Sequence, residues 1–473
     1  MALLVAALAL AGCSSGKLSP ASSATVDASP AASASRATGE VVLPTVLGPP
    51  LSSAALLKHA VKPVLADDDA GGLLLATEPG SARDTRPVVA AFRNARGRWG
   101  KPVVLARDSD RGAPTVAAGG DGRAVVGWTT FGARAMTESV RIRGPQGRWT
   151  QRHVVARDSG STTMTDLDMN RRGDVAALAA NGELFRVVRH SVGGRWTTTR
   201  LPGCTAGTLA LDDRGVVHVA CVGFADRGEQ GMVRLWAQRR GGPLVLERRL
   251  GRAVSVAVQV APDGRETVTL GTGVPGAEVV AASTFTVLHQ ASPDAPLSAV
   301  WSHARTRTAL ATVADDRLLV AWEELRGRRP RTATLLRVRT VLPVTGPVTT
   351  VHRDASPTVG HGDFDVDFDL AVPATGPGVL LWRVWQNETH SRVNSIRLTP
   401  LVGRGTGTTV VLPGGARNVV DQFLTDREQV AVSSVGRIDL TWLHDAVTRR
   451  RPPSGDPVTI DGTVQVARTR RRS

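Results

Sequence analysis

Short apolar runs alternate with tight polar turns along most of this chain. In the clearest units, residues 114–128 and 208–221, an apolar run reaches an Asp/Gly turn and a second apolar run follows it. Runs of this length, bounded by turn residues and repeated in pairs, are typical of antiparallel strands joined as hairpins. The pattern therefore predicts β-hairpins and no extended helical segment.

The hairpin turn recurs at intervals of about 50 residues, which is the signature of a repeat architecture. Eight turn positions can be counted: Gly72, Gly122, Gly173, Gly215, Gly264, Asp316, Gly378 and Gly436. A third strand and a short fourth strand follow in several units. Four antiparallel strands per repeat are typical of a propeller blade, so the prediction is an all-β fold, a seven- or eight-bladed β-propeller of four-stranded antiparallel blades. Both blade counts stay open, because the first and last units are the weakest.

Tryptophan marks two positions of the repeat. Four of the second strands reach a tryptophan: Trp128, Trp322, Trp382 and Trp442. A Gly-Arg-Trp triplet recurs at Trp99, Trp149 and Trp196. Stacked blades must bury both sheet faces, so packing between blades is the preferred explanation. The alternative for the Gly-Arg-Trp set is a row of exposed aromatic platforms for sugars.

The N-terminus carries a short run of small apolar residues, Ala2 to Ala11, that ends in Leu-Ala-Gly-Cys13. This run resembles the lipobox of bacterial lipoproteins, although no Lys or Arg precedes it. The resemblance implies a signal peptide over residues 1–12, a diacylated Cys13 and a lipid anchor at the extracytoplasmic face of the cell membrane. The alternative is an ordinary cleaved signal peptide with a chance cysteine.

Two further segments follow the predicted signal peptide. Residues 13–49 are rich in Ser, Ala, Pro and Thr, a composition that buries too little apolar surface to fold. They are predicted to be a disordered tether. Residues 50–473 are predicted to form the propeller domain.

Positive charge exceeds negative charge by a wide margin. The chain has 58 Lys+Arg against 42 Asp+Glu, a formal net charge of +16, and nearly all of the cations are arginine. An Arg- and Ala-rich, Lys-poor composition of the actinobacterial type is what a GC-rich genome encodes, so part of the excess reflects coding bias. The functional interpretation of the charge is attraction to an anionic envelope polymer or lipid headgroup, whereas the alternative ligand, a partner protein, would need an exposed apolar patch on one rim. The export signal argues against nucleic acid.

The three cysteines fall into two classes. Cys13 belongs to the lipobox, whereas Cys204 and Cys221 flank one repeat hairpin. Residues about equally distant from a hairpin turn lie opposite each other, and exported proteins form disulfides. A Cys204–Cys221 disulfide is therefore expected, with two buried thiols as the alternative.

Aspartates at alternate positions form the strongest candidate for chemistry. The set comprises Asp363, Asp365, Asp367 and Asp369 in one repeat, with Asp166 and Asp168 in the corresponding strand of another. Period-two spacing places the carboxylates on one face of an innermost strand. Three interpretations stay open: a solvated or Arg-paired face, a cation site suited to Ca²⁺, and catalytic carboxylates. If the innermost strands share a channel, the two groups could approach each other.

Recognisable catalytic constellations are missing from the sequence. The chain contains no tyrosine, which excludes a sialidase mechanism with a tyrosine nucleophile. It has no Gly-x-Ser-x-Gly elbow, and its histidines are scattered. A binding or scaffold role is therefore preferred. The rival hypothesis is an exported carbohydrate-active enzyme, a glycosidase or lyase, that uses channel carboxylates.

Overall fold

A computed structural model describes residues 60–468 of the chain, apart from a set of connecting segments. The segments left out are 69–71, 80–85, 110–113, 133, 160–161, 182–183, 224–229, 274–283, 315, 329–330, 355–365, 373–376, 385–395, 403–404, 413–428, 433–437 and 450–458. Cys13, the predicted tether, Asp363 and Asp365 lie outside the described residues. Within the described part every regular element is a β-strand. No helix there is long and apolar enough to cross a membrane.

The first four sheets each contain four antiparallel strands that follow one another in chain order. The first sheet comprises β1 (Ala60–Asp67), β2 (Leu73–Pro79), β3 (Arg86–Arg93) and β4 (Val103–Ser109). The second comprises β5 (Thr115–Ala118), β6 (Ala124–Phe131), β7 (Met136–Arg143) and β8 (His153–Asp158). The third comprises β9 (Thr162–Met169), β10 (Val175–Asn181), β11 (Leu184–His190) and β12 (Trp196–Leu201). The fourth comprises β13 (Ala206–Leu211), β14 (Val217–Val222), β15 (Gly231–Gln238) and β16 (Leu244–Ala253).

The next two sheets repeat this order, and the last two vary it at their outer edge. The fifth comprises β17 (Ser255–Val260), β18 (Glu266–Thr272), β19 (Thr284–His289) and β20 (Ser298–Ala304). The sixth comprises β21 (Thr306–Ala314), β22 (Arg317–Arg328), β23 (Arg331–Leu342) and β24 (Thr349–Asp354). The seventh comprises β25 (Val366–Ala371), β26 (Gly378–Val384), β27 (Ile396–Val402) and two short edge strands, β28 (Gly405–Thr406) and β29 (Val410–Val411). The eighth comprises β30 (Gln429–Val432), β31 (Ile438–Arg449) and β32 (Thr459–Arg468).

The eight sheets of the described residues close into a ring through their first strands. The strands β1, β5, β9, β13 and β17 contact one another in succession, and β21 contacts β25. The fifth and sixth sheets meet where β18 and β19 contact β21. The ring closes because β30 contacts both β25 and β1. The predicted fold class is confirmed, and the ring has eight blades.

The hydrophobic core is divided among the junctions between neighbouring sheets. At the junction of the third and fourth sheets, Ala176 and Leu178 of β10 pack with Leu209 of β13 and Val217 of β14. Corresponding clusters join the first six sheets to their successors. A four-stranded sheet exposes two apolar faces when isolated, so each blade depends on both neighbours to bury them.

Tryptophan occupies these junctions as the repeat predicts. Trp128 is 1% exposed and packs in the cluster between the first and second sheets. Trp322 and Trp382 hold the same position in later blades and are also buried. Of the Gly-Arg-Trp set, Trp149 and Trp196 pack partly buried against junction clusters. Packing between blades therefore accounts for these five residues.

The disulfide pair joins the start of the fourth sheet to its second strand. Cys204 and Cys221 are bonded, with their Cα atoms 5.7 Å apart. Cys204 lies before β13, and the residue opposite Cys221 is Gly207. A Cβ at position 207 would lie 3.0 Å from the Cβ of Cys221. The missing side chain at Gly207 leaves the space in which Cys204 reaches its partner.

Removing this disulfide should destabilise the propeller. The bond closes a loop with a sequence separation of 17 residues. Loop-closure entropy for that length corresponds to about 3 kcal/mol. We expect the Cys204→Ala/Cys221→Ala double variant to lose that much unfolding free energy in guanidinium titrations. Dithiothreitol should lower the midpoint of the wild type and leave that of the variant unchanged; equal stability of the two proteins without reductant would contradict the assignment.

Candidate functional site

The two faces of the ring differ in the length of their connections. On one face, here the turn face, first and second strands are joined by tight turns such as 119–123, 170–174 and 212–216. On the opposite face, the loop face, second strands join third strands and each sheet joins the next. The strand ends on this face are separated by the longest stretches of sequence, between β18 and β19, β24 and β25, β26 and β27, and β29 and β30. Binding residues on rigid scaffolds concentrate in such segments, which makes the loop face the candidate functional face.

The aspartates of β9 serve as links between blades. Asp166 accepts hydrogen bonds from the Leu167 N–H (2.9 Å) and from the Leu209 N–H of β13 (2.9 Å). Asp168 repeats this arrangement with the N–H groups of Met169 (2.8 Å) and Leu211 (2.7 Å). In each carboxylate one oxygen thus accepts a hydrogen bond from its own strand and the other accepts one from the next blade.

Burial of these carboxylates affects their protonation. Burial raises the pKa of Asp166 to about 6, although the Leu209 N–H acts in the opposite direction. Burial also raises the pKa of Asp168. Hydrogen bonds to backbone amides at an inner sheet edge indicate a structural role, because those amides have no strand partner of their own.

The aspartates near residue 365 are only partly described. Asp367 and Asp369 lie on β25, the first strand of the seventh sheet, as the repeat predicts. Asp369 accepts a hydrogen bond from the Leu370 N–H (2.9 Å), which repeats the local bond of Asp166 and Asp168. The third and seventh sheets are four blades apart in the eight-membered ring, and β9 and β25 are not neighbours in the part of the chain that the structure describes. Among the described residues no group of three or more metal-ligating side chains comes together.

A cluster of arginines surrounds one buried glutamate on the loop face of the sixth sheet. The carboxylate of Glu324, 5% exposed, lies 2.5 Å (Oε1) from Arg326 Nε and 3.1 Å (Oε2) from Arg337 Nε. His303 of the fifth sheet contributes Nε2 at 3.6 Å from Glu324 Oε2. Register explains the grouping, because Glu324 is paired with Leu335 and Arg326 with Ala333 on the same sheet face.

Beside this cluster is a cavity of about 280 Å³, here called the arginine cleft. Its lining residues are Arg326, Ala333, Leu335, Arg337, Thr350 and Arg353. Arg326 and Arg353 are exposed, whereas Arg337 is partly buried. Burial lowers the pKa of Arg337, Glu324 opposes that effect and Arg326 adds to it. The guanidinium nevertheless stays charged at neutral pH.

The charges at the arginine cleft do not balance. Arg326, Arg337 and Arg353 supply three positive charges, and Glu324 supplies one negative charge. Arg305, which joins β20 to β21, is an exposed cation close by in the chain, with φ at +59°. A bulky residue in the left-handed region is strained, and such strain concentrates at functional sites. The cleft can therefore bind an anion of up to two negative charges.

A second buried ion cluster lies at the turn face between the fourth and fifth sheets. His218 Nδ1 is 2.8 Å from Glu266 Oε1, and its Nε2 is 3.8 Å from Asp212 Oδ2. Arg214 (Nε–Oδ2 2.8 Å) and Arg248 (Nη1–Oε2 3.9 Å) complete the pairs with Asp212 and Glu266 respectively. Burial alone lowers the pKa of His218, but its contacts with Asp212 and Glu266 raise it to about 9. This cluster links two blades through ion pairs among its own side chains.

Sequence reasoning did not find the arginine cleft. Its signal is the pair Glu323-Glu324 at the end of an apolar strand, followed by Arg326 at period-two spacing. Acids inside a strand must be paired when the strand is buried. The partners Arg337 and Arg353 come from other strands, and no local spacing connects them to Glu324.

Comparison with known proteins shows distant likenesses. The β-propeller domain of the trilobed protease from Pyrococcus furiosus matches over 72% of this chain and 93% of its own, at 10% identity and a TM-score of 0.42. The acylaminoacyl peptidase of Pyrococcus horikoshii matches over 82% and 58%, at 10% identity and a TM-score of 0.41. The leech intramolecular trans-sialidase matches over 58% and 66%, at 8% identity and a TM-score of 0.33. No protein-family model matches the chain. No curated protein matches it either.

The link formed by Asp168 should be needed for stability. In an Asp168→Asn variant the amide oxygen can accept from the N–H of Met169 or of Leu211, and the NH₂ group, a donor, faces the other N–H. Loss of a buried charged acceptor costs about 1–3 kcal/mol. We expect a matching drop in unfolding free energy by chemical denaturation. Asp121→Asn, at an 81% exposed side chain, is the matched control and should change stability little; equal stability of the two variants would refute the role.

The His218 cluster should make stability depend on pH. The pKa of His218 is about 9 when folded, above its ordinary value, so its stabilising contribution is complete below about pH 6.5 and is lost as pH rises through 9. The expected fall in unfolding free energy is about 3 kcal/mol. Glu138, whose pKa burial raises to about 7, titrates at the lower end of this window, so the contribution of His218 is taken as the difference between the wild type and a His218 variant at each pH. Denaturation at pH values across it should show the slope in the wild type and its loss in His218→Gln; a slope retained by the variant would assign it elsewhere.

Proposed function

We propose that the protein is a lipid-anchored, extracytoplasmic binding or scaffold protein that recognises an anionic envelope polymer through its loop face. The observation that carries this proposal is the arginine cleft, where three arginines line one cavity and only two of them pair with a carboxylate, that of Glu324. Guanidinium groups match carboxylate and phosphate oxygens in paired hydrogen bonds. The cleft therefore has the chemistry of an anion site.

The character of the cleft lining favours a polymer over a partner protein. Contact sites for proteins are centred on apolar and aromatic residues. In the arginine cleft the apolar contribution is limited to Ala333 and Leu335. A repeating anion would place further charges over exposed arginines at the same rim, such as Arg305.

The N-terminal sequence supports the location. Cys13 would carry two acyl chains, which suffice for stable anchoring. A flexible tether over residues 13–49 would have an average span of about 35 Å. The propeller would then remain close to the membrane surface and reach the polymers that lie there.

The proposal is tested by binding of the full chain, in a neutral detergent, to an immobilised poly(glycerol phosphate) chain over a series of salt concentrations. We expect saturable binding that weakens with added salt. Arg353→Gln should lower the affinity about tenfold, because a hydrogen bond to a charged group is lost. Arg249→Gln, an exposed arginine outside the cleft, removes the same charge and should change affinity less than about twofold. Equal losses in both variants, or no saturable binding, would overturn the proposal.

A further inference from the structure

We infer that the arginine cleft selects a terminal phosphomonoester, a tetrahedral dianion, over phosphodiesters and carboxylates. This inference rests on the proposed function and narrows its ligand. It concerns a chain end or a phosphorylated sugar or polyol unit of the polymer.

The first argument is the arrangement that Glu324 imposes on two arginines. Its Oε1 accepts a hydrogen bond from Arg326 Nε (2.5 Å), and its Oε2 forms an ion pair with Arg337 Nε at 3.1 Å that lacks hydrogen-bond geometry. An arginine has one N–H on Nε and four on its two Nη atoms. Glu324 therefore orients Arg326 through Nε, holds Arg337 beside it by charge, and leaves the Nη donors of both for a ligand in the cleft. In this scheme Glu324 is a positioning residue.

The second argument is the number of donors. Arg353 has no ion-pair partner among the described residues and lines the same cavity, as does Thr350. The Nη groups of three arginines and one hydroxyl offer more hydrogen-bond donors than the two oxygens of a carboxylate can accept. A phosphomonoester presents three terminal oxygens as strong acceptors.

The third argument is charge. The three arginines and Glu324 together carry a net charge of +2 at the cleft. A phosphomonoester carries about −1.5 to −2 at neutral pH. A phosphodiester or a uronic acid carries a single negative charge and would leave one arginine uncompensated.

The fourth argument is size. A cavity of about 280 Å³ lies just below the range of sites for drug-sized ligands. It has room for a phosphoryl group and a small polyol or sugar unit. Ala333 and Leu335 supply an apolar wall for the carbon atoms of that unit.

Calorimetric titration of the full chain with four small ligands tests the inference. At one pH, about two units above the second phosphate ionisation, the ligands are glycerol phosphate, glycerophosphoglycerol, malonate and glucuronate. Glycerol phosphate should bind at least about tenfold more tightly than each of the others, since it alone combines two charges with three terminal oxygens. Malonate is the control for charge, because it is a dianion like glycerol phosphate but carries planar carboxylates in place of a tetrahedral phosphoryl group. Equal or tighter binding of malonate, glucuronate or the diester would overturn the inference.

Variants connect the preference to the cleft. Arg353 is exposed, so the Arg353→Gln variant should fold. It should weaken glycerol phosphate binding about tenfold, whereas Arg249→Gln should not. Glu324→Gln should also weaken binding although it makes the cleft more positive, because the Nε atoms of Arg326 and Arg337 lose their charged partner. Tighter binding by Glu324→Gln would remove the positioning role, and unchanged binding by Arg353→Gln would place the ligand elsewhere.

The two proposals fail in different ways. Polymer binding that depends on Arg353, without a preference for glycerol phosphate, refutes the phosphomonoester inference and leaves the proposed function standing. Glycerol phosphate binding at the cleft, without polymer binding, refutes the proposed function and supports a site for a small phosphorylated ligand.

Discussion

Burial of each four-stranded sheet between two neighbours is the constraint on which this molecule depends. The second strand of a blade has no solvent-facing side: in β14 every residue from Val217 to Val222 is buried. Such a strand is stable only when both adjacent blades are present, so the apolar pattern and the ring closure require each other. The inner edges need a separate solution, because their backbone amides have no strand partner. Asp166 and Asp168 of one blade, and Thr208 of the next, accept hydrogen bonds from those amides.

The ring places a buried ion cluster that links two blades on one face and the charged groups that a ligand could reach on the opposite face. On the turn face, the buried His218 cluster links the fourth and fifth sheets through ion pairs among its own side chains. On the opposite face the strand ends of the sixth sheet bring Glu324 together with arginines from three strands. Those arginines exceed the carboxylates, and the excess faces a cavity. The positive charge of the whole chain is spread over its surface. It forms a defined anion site only where the cross-strand register groups several arginines around one cavity.

Asp166 and Asp168 lie where their spacing predicts, but they form a link between blades, a role that the spacing does not predict. Period-two spacing places Asp166 and Asp168 on one face of an innermost strand, and the structure agrees. Their partners, however, are the backbone N–H groups of Leu209 and Leu211, more than 40 residues further along the chain. Spacing within one strand contains no information about the strand that will lie beside it. The acidic pattern thus marks a junction between blades at β9.

By itself the sequence determined the repeat, the strand pairs, the tight Asp/Gly turns and the buried tryptophans such as Trp128, because these depend on residues close together in the chain. It also predicts a lipidated Cys13 and a tether over residues 13–49, which lie outside the described residues. Tertiary structure alone decided that eight blades close the ring and that Arg337 and Arg353 converge beside Glu324. The physical reason is that closure and cross-strand register bring together residues whose separation in the sequence carries no pattern of its own.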